Sequence, residues 1–178
     1  MSIKLGCRGK IILLICIVIV GRVAIAWVNT KLSTITGTVV TVIDGDTCDV
    51  RYRTWFREET ARIRFASVDA PERGQPFWKA SRDFLKERII GKQVRILTEG
   101  RDRYRRLVGT VYLETNGVEE KVNLSLVEEG MAWWYQEYAP NDSHLAGLQN
   151  SAQMERRGIW SDPNPVPPWA YRREKRNQ

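Results

Sequence analysis

The sequence predicts an α+β domain, mainly a small Greek-key β-barrel, and three observations support this fold class. Segments rich in valine, isoleucine and threonine dominate the first half of the body. The dipeptides Asp44-Gly45 and Asn116-Gly117 are typical of hairpin turns between such segments. Helical spacing of apolar residues appears between and after the strand segments. About five short strands with interspersed helices favour a closed barrel.

Five strands are predicted from β-branched residues and from alternation of polar with apolar side chains. In chain order they are Ile35–Ile43, Thr47–Tyr52, Arg62–Phe65, Gln93–Leu97 and Leu107–Leu113. In the third strand Arg62 and Arg64 share one face, while Ile63 and Phe65 share the other. The bend Asp102–Arg106 joins the last two strands.

Three helices are predicted from apolar spacing and from start and stop residues. The first helix opens at Pro76 and stops at Gly91, with Phe77, Ala80, Phe84 and Ile89 on its apolar face. The second is Leu124–Glu129, with Asn123 as its cap. The third begins at Asn141 or Ser143 and runs to about Arg157. Residues 162–178 are predicted to form an extended basic tail with a solvated end.

The first 26 residues have the pattern of a leader. Basic residues precede the apolar run Ile11–Val20, and Ala24-Ile25-Ala26 fits a cleavage site for a signal peptide. An uncleaved membrane anchor is the alternative, although Arg22 disfavours a span. The prediction is therefore a signal peptide or anchor at 1–26, a domain at 33–161 and a secreted or periplasmic location. If the segment is an anchor, the domain is expected outside the cytoplasm.

Charge and cysteine content limit the class of partner and of disulfide. The net charge is +7, but four of the 28 basic residues lie in the leader, which leaves 24 basic and 21 acidic residues. This mild excess favours a polyanionic partner through local clusters rather than a strong global field. Cys48 is the single cysteine after the leader, so the body forms no internal disulfide.

Four short stretches concentrate carboxylates and arginines. They are Asp44–Thr47, Arg64, Asp69–Glu72 and Asp102–Arg106. His144 is the only histidine, so a multi-histidine zinc site is excluded. Hydrolysis would then depend on carboxylates, arginines and a hard cation, which suits a phosphodiester because arginine binds phosphate oxygens through a planar fork.

Each stretch taken singly also has a structural explanation. Asp44-Gly45 suits a tight turn, and Arg64 suits a solvated or paired strand residue. Asp69 with Glu72 suits the start of a helix, because acids are favourable there. The arginines around Asp102 suit a solvated bend that attracts phosphate without taking part in catalysis.

The order D-G-D-T, R-x-x-x-x-D-A-P-E and D-R-Y-x-R resembles the thermonuclease, or staphylococcal nuclease, family. The resemblance continues through Val122-Asn123 and Leu126–Ala132 and covers about Thr36 to about Trp160. It implies an OB-type five-stranded Greek-key barrel packed with three helices. It also implies a calcium-dependent hydrolase that cleaves DNA and RNA with low base specificity, expels the 5′ oxygen and leaves 3′-phosphate ends.

The resemblance assigns a role to each site residue. Calcium is expected to be bound by Asp46, Asp69 and the backbone carbonyl of Ala70. Arg64 and Arg106 are expected to stabilise charge on the phosphate, and Glu72 is the candidate general base. Substrate is expected to be bound by Arg103, Tyr104 and Tyr138. The family commonly has glycine where this chain has Arg105. If that position is left-handed, arginine costs about 1–2 kcal/mol there.

Two rival interpretations stay open at this point. A nuclease-like barrel that binds nucleic acid without cleaving it is the main alternative, but such relatives lose site carboxylates or arginines that are all present here. A membrane-tethered structural protein is supported by the leader alone. DNA and RNA are the expected substrates, membrane contact is expected only through the N-terminal segment, and the protein is expected to be a monomer.

Overall fold

The computed structural model describes residues 33–177, and the predicted leader lies outside this range. The strands are β1 (Ser33–Asp44), β2 (Thr47–Arg53), β3 (Glu58–Phe65), β4 (Val68–Asp69), β5 (Gln93–Arg101), β6 (Leu107–Thr115), β7 (Val118–Lys121) and β8 (Trp133–Trp134). The helices are α1 (Trp78–Ile89), α2 (Val122–Glu128), α3 (Ser143–Met154) and α4 (Pro168–Arg176), with a 3-10 turn at Gly158–Ser161. In residues 33–177 no helix is long and apolar enough to cross a bilayer.

Five strands close into a mixed barrel. The sheet order is β3-β2-β1-β5-β6-β7, and a parallel pairing of β3 with β6 joins its two sides. That pairing aligns Ile63 with Leu107, Arg64 with Val108 and Phe65 with Gly109. The predicted OB-type α+β barrel is confirmed, and all five predicted strands are present with longer boundaries.

The barrel core follows the period of two in each strand. Cys48 and Val50 of β2 and Ile63 and Phe65 of β3 are buried, while Asp49 and Arg51 of β2 and Arg62 and Arg64 of β3 are more exposed. Helix α1 covers the core with Leu85 and Ile89. Each large apolar side chain buried in this way stabilises the fold by roughly 1.5–3 kcal/mol.

Helix α1 buries a face rotated by about one residue from the one predicted, although Ile89 is buried as expected and Phe84 packs against the core. It starts at Trp78, because Phe77 has a left-handed backbone with φ of 64°, and its buried residues are Ser81, Leu85 and Ile89. Ser81 donates a hydrogen bond to the Met131 carbonyl at 2.6 Å and so joins the helix to a distant loop. The buried face includes the polar residue Ser81, which a pattern of apolar residues does not predict.

Asn123 does not cap α2, contrary to the prediction. The helix begins at Val122, and the Asn123 side chain is buried at 4 % exposure. Its Oδ1 accepts from the Val111 N–H at 2.9 Å, and its Nδ2 donates to the Ala66 carbonyl at 2.9 Å. Asn123 therefore links the end of β3 to β6 next to the barrel closure.

The prediction of an extended tail is wrong for residues 168–176, which form α4. Pro168 at the first helical position has a backbone already suited to a helix, and the following residues contain no glycine. Trp169 stacks on Tyr135 with ring centroids 5.2 Å apart, so the helix is held by tertiary packing. Four helices, rather than three, thus surround the barrel in residues 33–177.

Candidate active site

One groove brings all of the sequence-predicted site residues together. It has a volume of about 940 Å³ and is lined by the turn before β2, the end of β3, the loop after β4, the β5–β6 bend, residues near Tyr138 and α4. The residues predicted from the sequence that line it are Asp46, Arg64, Asp69, Ala70, Glu72, Arg103, Tyr104, Arg106 and Tyr138. Their individual roles stay predictions.

Arg64 lies at the centre of the groove and bridges two carboxylates. Its Nη1 is 3.2 Å from Asp46 Oδ2, and its Nη2 is 2.7 Å from Asp69 Oδ1. The same guanidinium donates to the carbonyls of Phe65 at 2.8 Å and Val68 at 2.7 Å. A solvated arginine is excluded, because all three charged side chains are largely buried. Removing one member of such a network is destabilising by about 3–5 kcal/mol.

Local hydrogen bonds hold Asp46 in place. Its Oδ1 accepts from the Thr47 hydroxyl at 2.9 Å, and its Oδ2 accepts from the Ala70 N–H at 2.7 Å. Gly45 is required by close packing, since a Cβ at that position would lie 1.8 Å from Ser81 Oγ. Asp44, expected to be a turn residue, accepts from the Trp78 indole at 3.0 Å. The D-G-D-T stretch therefore fixes the turn against α1 and directs Asp46 into the groove.

Burial sets the electrostatics of Asp69, which is 1 % exposed. Loss of solvent raises the pKa of its carboxyl above the usual range, and the nearby Asp46 carboxylate raises it further, while the guanidinium groups of Arg172 and Arg64 act in the opposite direction. Two desolvated carboxylates this close need positive charge around them. The structure supplies it with arginines.

Arg172 is the site residue that the sequence interpretation missed. Its Nη1 donates to Glu72 Oε1 at 2.6 Å and to Asp69 Oδ1 at 3.2 Å, and its Nη2 donates to Asp69 Oδ2 at 2.9 Å. The prediction of a solvated C-terminal end is therefore wrong for this residue. The only available signal was a basic tail, which is also typical of a solvated terminus.

The β5–β6 bend directs Arg106 toward Asp102. Arg106 Nε lies 2.6 Å from Asp102 Oδ2, and Asp102 Oδ1 accepts from the N–H groups of Tyr104 and Arg106, both at 2.9 Å. Arg105 has a φ of 66°, so the left-handed conformation expected for a glycine is kept with arginine in its place. Arg106 thus lines the groove but does not pair with Asp46 or Asp69.

Exposed aromatic rings line one side of the groove. Tyr104 is 65 % exposed and Tyr138 is 71 % exposed, so a large part of each side chain is accessible to solvent. The Arg103 guanidinium lies 4.9 Å from the Tyr104 ring centroid. Trp133 instead packs against Trp160 with centroids 4.2 Å apart. Tyr104 and Tyr138 are therefore available to a ligand, whereas Trp133 has a packing role.

The donor chemistry at Asp46 and Asp69 fits a hard cation. Both groups are carboxylates with mutual repulsion, and the Ala70 backbone adjoins them. Among residues 33–177, no cluster of three or more acidic, histidine or cysteine side chains is arranged to bind a metal. Among the described residues the protein therefore offers two carboxylates, with both Asp69 oxygens also accepting from arginine.

The fold and the groove define a class: an OB-type barrel with a site of paired carboxylates and arginines. The model of the family described as staphylococcal nuclease homologue matches residues 62–162. The chain is 42 % identical over 139 residues to an uncharacterized endonuclease of Escherichia coli O157:H7, which covers 78 % of this chain and 86 % of that relative. It is 38 % identical over 147 residues to the micrococcal nuclease of Shigella flexneri, which covers 79 % and 82 % respectively.

The chain therefore belongs to the staphylococcal nuclease homologue family. The predicted resemblance is confirmed, and the protein is placed, at the level of the family, among hydrolytic nucleases. The matched region ends at residue 162, so α4 and Arg172 lie beyond it.

Proposed function

We propose that this protein is a calcium-dependent nuclease that hydrolyses DNA and RNA with low base specificity and leaves 3′-phosphate ends. The observation that carries the proposal is the convergence of Arg64, Asp46, Asp69 and Glu72 in one groove with Arg106 on its wall. Calcium would be held by Asp46, Asp69 and the Ala70 carbonyl and would supply positive charge to a phosphate oxygen.

The residues of the chain divide the remaining work. Glu72 takes a proton from water, whose oxygen forms a bond to phosphorus while the bond from phosphorus to the 5′ oxygen breaks. The leaving 5′ oxygen receives a proton from solvent. Arg64 and Arg106 donate hydrogen bonds to the phosphate as its charge increases, an effect that usually exceeds general-base help. Arg103, Tyr104 and Tyr138 bind the flanking nucleotides through charge and stacking, which tolerates every base.

Glu72→Gln is the sharpest test of this assignment. The change keeps the side chain's size but removes the base, so kcat on plasmid DNA and on RNA should fall about 10²–10⁴-fold. Glu114→Gln makes the same change at an exposed strand position and should leave kcat unchanged. Near-normal turnover by the Glu72 variant would exclude it as an essential base.

Metal dependence needs a separate assay. Cleavage of plasmid DNA and RNA should require calcium, should stop with a chelator and should be poorly supported by magnesium, because a small set of oxygen ligands favours a flexible shell. Full activity in chelator would remove Asp46 and Asp69 from the mechanism as metal ligands. Nucleic-acid binding with no cleavage in calcium would favour the binding-module alternative.

Arg64 is a poor choice for a simple activity test. It pairs with two buried carboxylates, so Arg64→Ala combines lost charge stabilisation with removal of the arginine from buried Asp46 and of one of the two arginines from Asp69. Arg106→Lys is cleaner, since Arg106 is more exposed and, among residues 33–177, pairs with Asp102 alone. It keeps the charge, loses the planar fork and should lower kcat if Arg106 binds phosphate.

We also propose that the protein is exported and acts as a monomer. The leader pattern supports removal after Ala26, so that the mature chain begins at Trp27. Intact mass of the exported protein tests this point. A membrane-bound product that retains Met1 would instead make it an anchored nuclease. Light scattering of the purified protein tests the monomer.

A further inference from the structure

Helix α4 covers one side of the groove although it lies outside the region matched by the family model. Trp169 stacks nearly parallel to Tyr135, with 4° between the ring planes, and meets Trp133 edge-on at 5.7 Å. The Tyr171 hydroxyl lies against Gly74, 3.0 Å from where a Cβ would be. The helix therefore packs against the aromatic residues at and after β8 and against the loop before α1, and it is part of the folded domain.

Arg172 projects from α4 onto two carboxylates at once. It contacts both oxygens of Asp69 and one oxygen of Glu72, with distances from 2.6 to 3.2 Å. Asp69 already has a partner in Arg64, whereas Glu72 has no salt bridge in residues 33–177 other than that with Arg172. The consequence of losing Arg172 therefore falls mainly on Glu72.

The main chain of Glu72 is joined to the same C-terminal segment. Gln75 Oε1 accepts from the Glu72 N–H at 2.7 Å, and Gln75 Nε2 donates to the Val166 carbonyl at 3.1 Å. Glu72 lies in a loop outside any strand or helix, and a glutamate side chain there has three rotatable bonds. Contacts from residues 166–172 thus restrain both its backbone and its carboxylate.

We propose that Arg172 is a positioning residue of the active site that holds Glu72 and Asp69 in their working arrangement. The segment after the barrel is then a functional part of the site rather than a solvated tail. This inference rests on the proposed function, because the position of Glu72 matters only if Glu72 is the general base. Misplacing a catalytic group by about 1 Å is enough to cost about 10²-fold in rate.

The same contacts predict an unusual combination of effects. Arg172 donates hydrogen bonds to both Asp69 oxygens and places a positive charge next to the expected cation site. Removing Arg172 frees the Asp69 oxygens for a cation and lowers the repulsion between that cation and a neighbouring positive charge. Calcium should therefore bind Arg172→Ala as tightly as wild type or more tightly. A change that merely loosened the fold would weaken calcium binding and turnover together.

The experiment compares full-length wild type, Arg172→Ala and Arg172→Lys, with Lys175→Ala as the matched control. Lys175 is an exposed cation of the same helix that does not line the groove. Steady-state cleavage gives kcat and KM, calorimetry with calcium alone gives its Kd, and circular dichroism reports folding.

For Arg172→Ala we expect kcat to fall about 10–100-fold with KM little changed, and Kd for calcium to be unchanged or lower. Arg172→Lys should have an intermediate kcat, and it carries the test if the alanine variant does not fold. Guanidinium ion at low millimolar concentration should restore part of the lost kcat, whereas urea at the same concentration should not. Lys175→Ala should match wild type.

Unchanged kcat in a folded Arg172→Ala would overturn the inference, and so would a higher kcat, which would make α4 an inhibitory cover. A parallel loss of calcium binding and turnover would also overturn it. A wild-type protein that cleaves no nucleic acid would instead refute the proposed function.

Discussion

Replacing Asn123 with alanine should destabilise the barrel more than its small size suggests. The side chain accepts from the Val111 N–H and donates to the Ala66 carbonyl, both at 2.9 Å, and it is almost fully buried. Alanine can replace neither bond. Because solvent has little access, one backbone donor and one backbone acceptor would lose their partner.

The magnitude follows from the cost of a buried polar group without a partner. Each such group costs about 1–3 kcal/mol, so the two together should lower the free energy of unfolding by about 2–4 kcal/mol after some relaxation. That is a large share of the roughly 5–15 kcal/mol typical of a domain. For a domain of this size, Tm should fall by about 5–15 °C.

Urea unfolding followed by tryptophan fluorescence, together with a thermal melt by circular dichroism, measures the loss. Asn150→Ala is the control: it makes the same substitution on an exposed face of α3, where alanine is the better helix former, and it should not destabilise. A loss below about 0.5 kcal/mol for Asn123→Ala would refute the reasoning, since two unsatisfied groups cannot cost so little.

Three further predictions concern single residues of the domain. Arg105→Gly should raise Tm by a few degrees in a thermal melt, because glycine relieves a left-handed cost of about 1–2 kcal/mol and loses about 0.5–1 kcal/mol to unfolded-state entropy. Burial raises the pKa of Cys48 to about 12, so peptide mapping should show no alkylation of its thiol at pH 8 until urea unfolds the chain. Desolvation raises the pKa of Asp102, but hydrogen bonds from Arg106 and from the Tyr104 backbone outweigh it and leave the pKa below its usual range. The resulting stability is present at neutral pH and is lost as pH falls through the folded-state pKa. Urea unfolding should therefore show Asp102→Asn to be less stable than wild type at pH 7, with the difference shrinking as the pH is lowered through the folded-state pKa.

Strands and most site residues were predictable because their signals are local. The alternation of polar and apolar residues in Arg62–Phe65 predicts which side chains face the core. The hairpin residues Asn116-Gly117 both adopt positive φ, as the predicted turn type requires. Asp46 follows the predicted turn, Arg64 lies on the predicted third strand, and Asp69 follows that strand closely. The groove then results from the barrel topology implied by the family resemblance.

The missed features all depend on partners far away in the chain. Asn123 precedes a helical pattern, as a cap does, and only the folded barrel shows that its partners are the residue after β3 and a residue of β6. Arg172 lies a hundred positions from Glu72, in a short basic segment whose charge is equally typical of a solvated terminus. The helix carrying it is short and is stabilised by Trp169 packing, which propensity does not describe.

The barrel closure has a consequence for the order of folding. Only three residue pairs join β3 to β6, and they place Arg64 beside Val108, two positions from Arg106. Until that pairing forms, Arg64 and Arg106 lie on separate edges of an open sheet. Because this contact is distant in sequence, its loop-closure entropy makes it a late event. Recovery of enzymatic activity during refolding should then coincide with closure of the barrel, because a chain with an open sheet has no complete groove.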